Sequence, residues 1–513
     1  MADRKRVEFG DFQTPPGLAA DVCRLLTAQG VRPAAVVEPT CGTGAFLAAA
    51  GDTFYAASSV TGFEINPQYA DEARQTLGVK DGAGGRCRVF QADSFTVDWS
   101  KVLSELPDPL LITGNPPWVT NSTLGAISSS NVPRKSNVDA LRGIEALTGK
   151  SNFDISEAIL RECLAELSGR NGCLAVLCKT AVARKLLEFA WNESMPLASC
   201  SIYRIDAKRH FDASVDACLL VVSMSPAGAA RECDVFPTLD ATTPEGRIGM
   251  RSGRLVPNTG LFDKWAHLTE APTGGWRSGI KHDCSRVFEL RRQEGQLWNG
   301  AGESVDVEDD VLFPLLKSSD LSAGREPHRT LLVPQQSMSD SPGKLRKRCP
   351  RAWDYLVQRD ELLEARRSSI YRNRPPYSIF GIGPYSFTDW KVAVSGLYKD
   401  IEFRCLGPHD GKPVVFDDTC YFYSCVSRGE AECLGRILAS EPAREFLAGS
   451  VFLDAKRPVT AALLNSLNLK QLALAAGCSQ DDAARFFNGE LPGTRDSQRQ
   501  RLLFEEPVAT AVD

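Results

Sequence analysis

Val36-Val37-Glu38-Pro39-Thr40-Cys41-Gly42-Thr43-Gly44-Ala45-Phe46-Leu47 reads as a short buried strand, a glycine turn and the start of a helix. Small residues in such a turn let backbone approach a bound nucleotide. The stretch is neither a complete G-x-G-x-x-G nor followed by a Lys-Ser/Thr pair for phosphates, so a nucleoside without phosphates fits better than a dinucleotide or ATP. Thr40, Cys41, Gly42, Gly44 and Phe46 are candidate contacts for that nucleoside, with Glu38 at the strand's end.

Outward from this turn, Val60-Thr61-Gly62-Phe63-Glu64 is a second strand whose final carboxylate lies 26 positions after Glu38. An acid there can accept hydrogen bonds from ribose hydroxyls, which makes Glu64 the ribose candidate with Ile65 beside it. A third strand, Arg88 to Ala92, ends in Asp93-Ser94-Phe95, a carboxylate and an aromatic suited to the amino group and ring face of adenine. Each acid alone is more often a helix cap or solvated turn. Three at successive strand-to-helix spacings point to one ligand crevice.

A fourth hydrophobic run, Leu110-Leu111-Ile112, leads into Asn115-Pro116-Pro117-Trp118. An exocyclic base amine is a poor nucleophile because its lone pair is delocalised into the ring, and preorganised acceptors can redirect that pair. The Asn115 side-chain oxygen and the Pro116 carbonyl can each take one amine hydrogen. Consecutive prolines fix φ at both positions and restrict Asn115 as well. Trp118 offers a flat face for stacking. By itself the tetrapeptide also reads as a strand ending in a Pro-Pro turn with an aromatic plug.

Alternating strands and helices organise the surroundings. Thr14 can cap a helix with Pro15 at its first position, carrying Leu18, Val22, Leu25 and Leu26 on one face and covering the cofactor. Helix candidates at 153–167 and 181–190 alternate with strand candidates at 173–178 and ending near Val222. This pattern implies a mainly parallel sheet with helices on both faces and a crevice at the strands' carboxyl ends.

Over roughly its first 225 residues the chain resembles the S-adenosylmethionine-dependent adenine-N6 DNA methyltransferases of restriction-modification systems, in the class whose catalytic domain precedes its target-recognition domain. Phe12-Gln13-Thr14-Pro15-Pro16 looks like the family's N-terminal cofactor motif, Glu38 to Phe46 like its glycine motif and Glu64 like its ribose acid. Asp93 and Phe95 look like its adenine contacts, and Asn115 to Trp118 like its catalytic tetrapeptide, with Asn115 also against the cofactor. His210-Phe211-Asp212 falls where the class places a second aromatic against the extruded base, so Phe211 joins Trp118 as a stacking candidate; core packing is its other reading. Trp118 departs from the commoner Tyr or Phe. The resemblance implies a Rossmann-like methyltransferase domain with a mainly parallel seven-stranded sheet, followed by a target-recognition domain; the residues themselves put the first at 1–228, an α+β target-recognition domain at 229–490 and a loosely ordered tail at 491–513. It also implies S-adenosylmethionine as cofactor, double-stranded DNA as substrate and a cognate restriction endonuclease as companion. A cytosine-N4 or RNA-base methyltransferase, or a catalytically silent DNA-binding protein, are the other readings.

At 513 residues the chain suits two or three domains, and its 43% hydrophobic and 24% charged content is ordinary for globular proteins. No apolar stretch approaches the roughly 18 residues of a membrane span, and the polar start enters no signal-peptide core, so a cytoplasmic protein is expected. Sixteen scattered cysteines without a Cys-x-x-Cys read as reduced thiols, and no metal is expected.

The net charge of -5 argues against a polyanionic partner until its distribution is considered. From Arg325 to Asp400 there are 14 Lys or Arg against 8 Asp or Glu, a local excess of six. Lys344, Arg346, Lys347, Arg348, Arg372, Arg374 and Lys391 alternate there with aromatics and are candidate DNA contacts; a solvated charged face is the blander alternative. Between Trp118 and Phe153 the sequence is polar and free of aromatics, as expected of a loop that closes over DNA. Pro226-Ala227-Gly228-Ala229-Ala230 reads as the exit from the catalytic domain.

Overall fold

The computed structural model describes residues 12–79, 85–119, 154–270 and 274–480. The expected loop at 119–152 and the tail at 491–513 therefore lie almost wholly outside the described residues. Two compact units divide the chain, 1–260 and 261–513.

In the first unit the quoted stretch becomes strand β1 (Ala35–Glu38), a turn, and helix α2 (Ala45–Thr53). β2 (Ser59–Glu64), β3 (Cys87–Gln91) and β4 (Leu110–Gly114) follow, and every residue of β1, β2 and β4 is buried. Strands buried on both faces belong inside a parallel sheet covered by helices. The remaining strands of this unit are β5 (Gly172–Lys179), β6 (Leu197–Ile205), β7 (Ala217–Met224), β8 (Glu232–Phe236), β9 (Gly246–Arg251) and β10 (Arg254–Val256). Their order across the sheet is β10-β9-β8-β6-β7-β5-β4-β1-β2-β3. β2, β1, β4 and β5 pair in parallel, and β7 runs antiparallel between β5 and β6.

This is the expected seven-stranded, mainly parallel sheet with three strands added at one edge. The anticipated exit at 226–230 is a turn within the unit instead. It leads into β8, which pairs in parallel with β6; the short alternation in Glu232–Phe236 buries Cys233 and Val235 and leaves its polar residues outward.

Strand order reverses at β1, which pairs with β2 on one side and β4 on the other. The crevice of an open α/β sheet lies outside the strand ends at such a point. Register sets Val37 beside Ile112, which brings Glu38 and the Gly114-Asn115 corner together. Gly114 has φ 140°, and a Cβ there would meet the Glu38 side chain at 2.9 Å, so only glycine suits this corner.

Helix α1 (Pro16–Ala28) buries Leu18, Val22 and Leu26 as its spacing requires. It starts one residue later than expected: Pro15 is the N-cap, and Thr14 makes no capping hydrogen bond. α1 packs against α2, so the segment before it, rather than the helix itself, borders the crevice. Helix α3 (Pro67–Leu77) is better specified. Asn66 caps it by accepting from Gln68 N, proline opens it, and Gly78 at φ 64° closes it.

The second unit is α+β. A four-stranded antiparallel sheet runs β11 (Trp276–Ser278), β20 (Cys420–Cys425), β17 (Trp390–Ser395), β18 (Phe403–Leu406). A six-stranded sheet runs β14 (Ser304–Val305), β13 (Gln296–Asn299), β12 (Glu289–Gln293), β16 (Arg329–Leu332), β15 (Leu312–Leu316), β19 (Val415–Phe416). The apolar pattern near 433–448 is two helices, Arg428–Leu438 and Glu441–Ser450. Pro442 stands in the second helix's first turn, where its missing N–H costs nothing, and it could not have continued the first.

One expectation in this unit fails. Lys391 lies in β17 at 1% exposure, and its ammonium donates to the Thr388 carbonyl. Burial pushes its pKa down to about 7. The strand is covered on both faces, so Lys391 is a core residue and no DNA contact.

Candidate active site

An open cleft lies at the carboxyl ends of β1, β2, β3 and β4, the place where open α/β sheets take their ligands. Its lining gathers Thr14, Glu38, Thr40, Cys41, Gly42, Phe46, Glu64, Ile65, Asp93, Phe95, Asn115 and Pro117. Residues separated by a hundred positions thus meet because successive strands end on one side of the sheet. Gly44 lies outside the lining; it starts α2 at φ 89°, where a Cβ would meet Ala73 at 3.1 Å.

The glycine turn is held from two directions. Glu64 accepts from Gly42 N at 2.9 Å and from Asn66 N at 2.8 Å, tying the turn to the exit of β2. Gln13 accepts from the Thr43 backbone and hydroxyl, both at 3.1 Å. A Cβ on Gly42, which sits at φ 51°, would meet Gln13 Oε1 at 2.6 Å. On the third strand's exit, Asp93 accepts from Phe95 N at 3.0 Å, and the Phe95 ring is partly exposed to the cleft. Gln13 and Ser94 stand inside quoted motifs but had been given no role of their own, and Tyr69, Ile155 and Ile159 line the cleft without having been singled out. Of these three, only the isoleucines carried a signal, being four apart at the start of a helix candidate.

Among the described residues, three buried polar atoms near these strand ends have no hydrogen-bond partner: Glu38 Oε2, Asn115 Oδ1 and Trp118 Nε1. Native interiors leave few such atoms unmatched. Asn115 is the informative one. Its amide nitrogen donates to the Phe12 carbonyl at 2.8 Å, which fixes the side chain and leaves its oxygen as an unmet acceptor. Glu38 is 2% exposed; burial first and the Glu64 carboxylate second hold its pKa well above the carboxylate range, against one hydrogen bond from the Leu47 backbone.

Trp118 and Phe211 do come together, with ring centroids 5.0 Å apart and edge to face. Phe12 closes the group at 5.4 Å from Trp118. The two stacking candidates are 5% and 4% exposed, so the rings fill the space between them, and a base entering there must part them. Of the basic candidates in the second unit, Lys344, Arg346, Lys347, Arg348, Arg372 and Arg374 are exposed, with Lys344 paired to Asp340 at 2.6 Å.

The Type II methyltransferase M.NspV of Nostoc sp. (strain ATCC 29411 / PCC 7524) is 41% identical over 476 residues, covering 92% of this chain and 98% of that protein. The chain belongs to the type II methyltransferases of restriction-modification systems. A second relative, the Type II methyltransferase M.CvrRI of Paramecium bursaria Chlorella virus XZ-6E, is 26% identical over 182 residues, 36% of this chain and 39% of its own. Among solved structures, the Type IIL restriction-modification enzyme MmeI in complex with DNA superposes with a TM-score of 0.52 at 11% identity, covering 90% of this chain and 65% of that one. That likeness concerns the fold. No protein-family model matches the sequence.

S-adenosylmethionine is the cofactor of this type II methyltransferase, and the cleft suits it. Glu38 leaves a buried acceptor for a cationic group, Glu64 and Asp93 add carboxylates, and the glycine turn lets backbone approach. Among the described residues no helix is long and apolar enough to cross a membrane, and no group of three or more His, Cys, Asp or Glu is placed to hold a metal ion. All sixteen cysteines are free thiols.

Proposed function

We propose that this type II methyltransferase modifies the N6 amino group of adenine in duplex DNA, on a nucleotide extruded from the helix, as the modification partner of a restriction endonuclease of the same specificity. The observation that carries this reading is the Asn115 amide, whose nitrogen is engaged by Phe12 and whose buried oxygen has no donor among the described residues. A planar base amine supplies the missing donor.

Within that reading, Asn115 Oδ1 and the Pro116 carbonyl each accept one amine hydrogen and turn the nitrogen lone pair toward the cleft. S-adenosylmethionine, when bound, supplies a sulfonium methyl there. Glu64 holds the ribose, Asp93 and Phe95 hold the adenine of the cofactor, and Thr14 borders its other side. Once the methyl is transferred the nitrogen is cationic, and the same two oxygens stabilise it until a proton leaves to water. Trp118 and Phe211 take the extruded base between them, offsetting an unstacking cost of roughly a few kcal/mol. Exposed cations of the second unit hold the DNA backbone.

The test is nucleoside mass spectrometry on DNA from a methylation-deficient host expressing the chain. N6-methyldeoxyadenosine is the expected product; N4-methyldeoxycytidine, or no modified base, would overturn the assignment. Once modified-base sequencing has mapped the site, Trp118→Ala is expected to weaken retention of the flipped base about tenfold, a modest figure for losing one base-aromatic stack of about 1–3 kcal/mol. A 2-aminopurine target reads this as lost fluorescence enhancement, and an enhancement equal to wild type would remove Trp118 from the base site.

A further inference from the structure

Two basic stretches of the second unit, 344–348 and 366–374, are joined by an aromatic relay. The Arg346 guanidinium lies 4.7 Å over the Trp353 ring, and Trp353 packs edge-on against Tyr377 with centroids 5.2 Å apart. Tyr377 in turn lines an open cleft with Arg366, Arg367, Tyr371, Arg372 and Arg374. The runs therefore meet on one surface, which their separation in sequence does not reveal.

Arg366 forms the wall of this cleft. It donates to the carbonyls of Leu363 at 2.9 Å and Ser378 at 2.8 Å, and stacks 3.8 Å from the Tyr371 ring. Arg367, Arg372 and Arg374 are exposed, and among the described residues none of them makes an ion pair with a carboxylate. Other exposed cations of the unit are differently placed: Lys344 pairs with Asp340, Arg351 with Asp306 and Arg428 with Glu432. Two acids, Asp360 and Glu364, also border the cleft. The loop's shape is held as well, since Asn373 at φ 62° and Tyr377 at φ 67° occupy the left-handed region, which is unfavourable for a bulky side chain.

We propose that this cleft seats the phosphodiester backbone of duplex DNA, with Arg367, Arg372 and Arg374 on phosphates of one strand and Arg346 and Lys347 continuing the track. The inference rests on the reading of DNA as substrate. Guanidinium forks match phosphate oxygens bidentately, and contacts to phosphates carry no base information, so binding here is independent of sequence.

The full chain and its Arg367→Gln/Arg372→Gln/Arg374→Gln variant are titrated against a labelled mixed-sequence duplex by fluorescence anisotropy between about 50 and 200 mM salt. With a counterion slope of about 0.9 per phosphate, the wild type should lose about 40-fold more affinity over that range than the variant. A single Arg372→Gln should differ from wild type by about 3.5-fold on the same scale. Arg436→Gln/Lys456→Gln/Lys470→Gln, which removes exposed cations outside the cleft, should retain the wild-type slope. Equal slopes for wild type and the cleft variant, an equal reduction in the outside variant, or a cleft-dependent slope seen only with single-stranded RNA would each overturn the proposal. Methylation of DNA by the same wild-type preparation separates the two failures: with it present only the cleft is lost, and with it absent the substrate reading is lost.

Discussion

Asn115→Ala is expected to lower methyl transfer about 10³-fold while leaving S-adenosylmethionine affinity within a few-fold of wild type. The first figure is what loss of one preorganised polar group at a reacting centre typically costs. Here the group is preorganised by the 2.8 Å bond from its nitrogen to the Phe12 carbonyl, so the oxygen needs no reorientation when the amine arrives. The second figure follows because Glu38, Glu64, Asp93 and the glycine turn, the other cofactor contacts we propose, are untouched by the substitution. Asn115→Ser keeps a shorter acceptor and should fall between. Single-turnover rates and calorimetric cofactor binding on the same protein decide the matter. Turnover near wild type in Asn115→Ala would show the amide to be a packing element, and a matching collapse in cofactor affinity would make it a cofactor ligand rather than an acceptor for the base.

Most of the site was legible in the sequence, and the reason is topological. In a parallel sheet each strand's last residues face the same side, so locating four strand ends located Glu38, Glu64, Asp93 and Asn115 in one cleft without knowing any distance. Strands such as Leu110–Gly114 announce themselves because both faces are buried and the run is apolar. β6 was missed because Ala198, Ser199, Ser201 and Arg204 interrupt its apolar positions, and its exposed residues follow no strict alternation. β8 was missed for a related reason: a five-residue strand that buries two side chains looks like a loop. The second unit was harder still. Whether a basic residue faces water depends on sheets built from distant segments, and Lys391, identical in composition to its exposed neighbours, lies sealed between elements that the sequence does not pair.

What the residues' identities concealed altogether was internal support. Glu64 reads as a ligand, yet in the fold its two oxygens also clamp the glycine turn through Gly42 and Asn66. Gln13 reads as a spacer in the Phe12 to Pro16 motif, yet it holds the other side of that turn through Thr43. A carboxylate can serve both tasks, because each oxygen has a second acceptor position after one backbone bond is made. Substitutions at Glu64 therefore confound ribose binding with turn geometry, which makes Asn115 and Glu38 the cleaner probes of this site.

Cofactor affinity is expected to rise with pH, by at most about tenfold per unit below the native pKa of Glu38, through a single proton on that carboxyl. Burial and the Glu64 carboxylate raise its native pKa well above the ordinary value. The neighbouring thiols of Cys23 and Cys41 are themselves pushed up, chiefly by burial and less by Glu38, and stay neutral, so they compensate no charge. A cationic amino or sulfonium group beside Oε2 favours the ionised form; binding then expels the proton, and below the native pKa that proton must be removed first. For the protein without cofactor the sign is opposite. The folded state binds the proton more tightly than the unfolded chain, so the neutral acid's contribution to stability is complete below the unfolded pKa and is lost as pH rises toward the native one. Stability should thus decline across the window in which affinity climbs. Calorimetry in two buffers of different ionisation enthalpy should register release of about one proton per cofactor bound, and Glu38→Gln should abolish both the release and the pH slope. A wild-type affinity independent of pH, or a slope that survives in Glu38→Gln, would mean that Glu38 is neutral for packing reasons alone and takes no part in holding the donor.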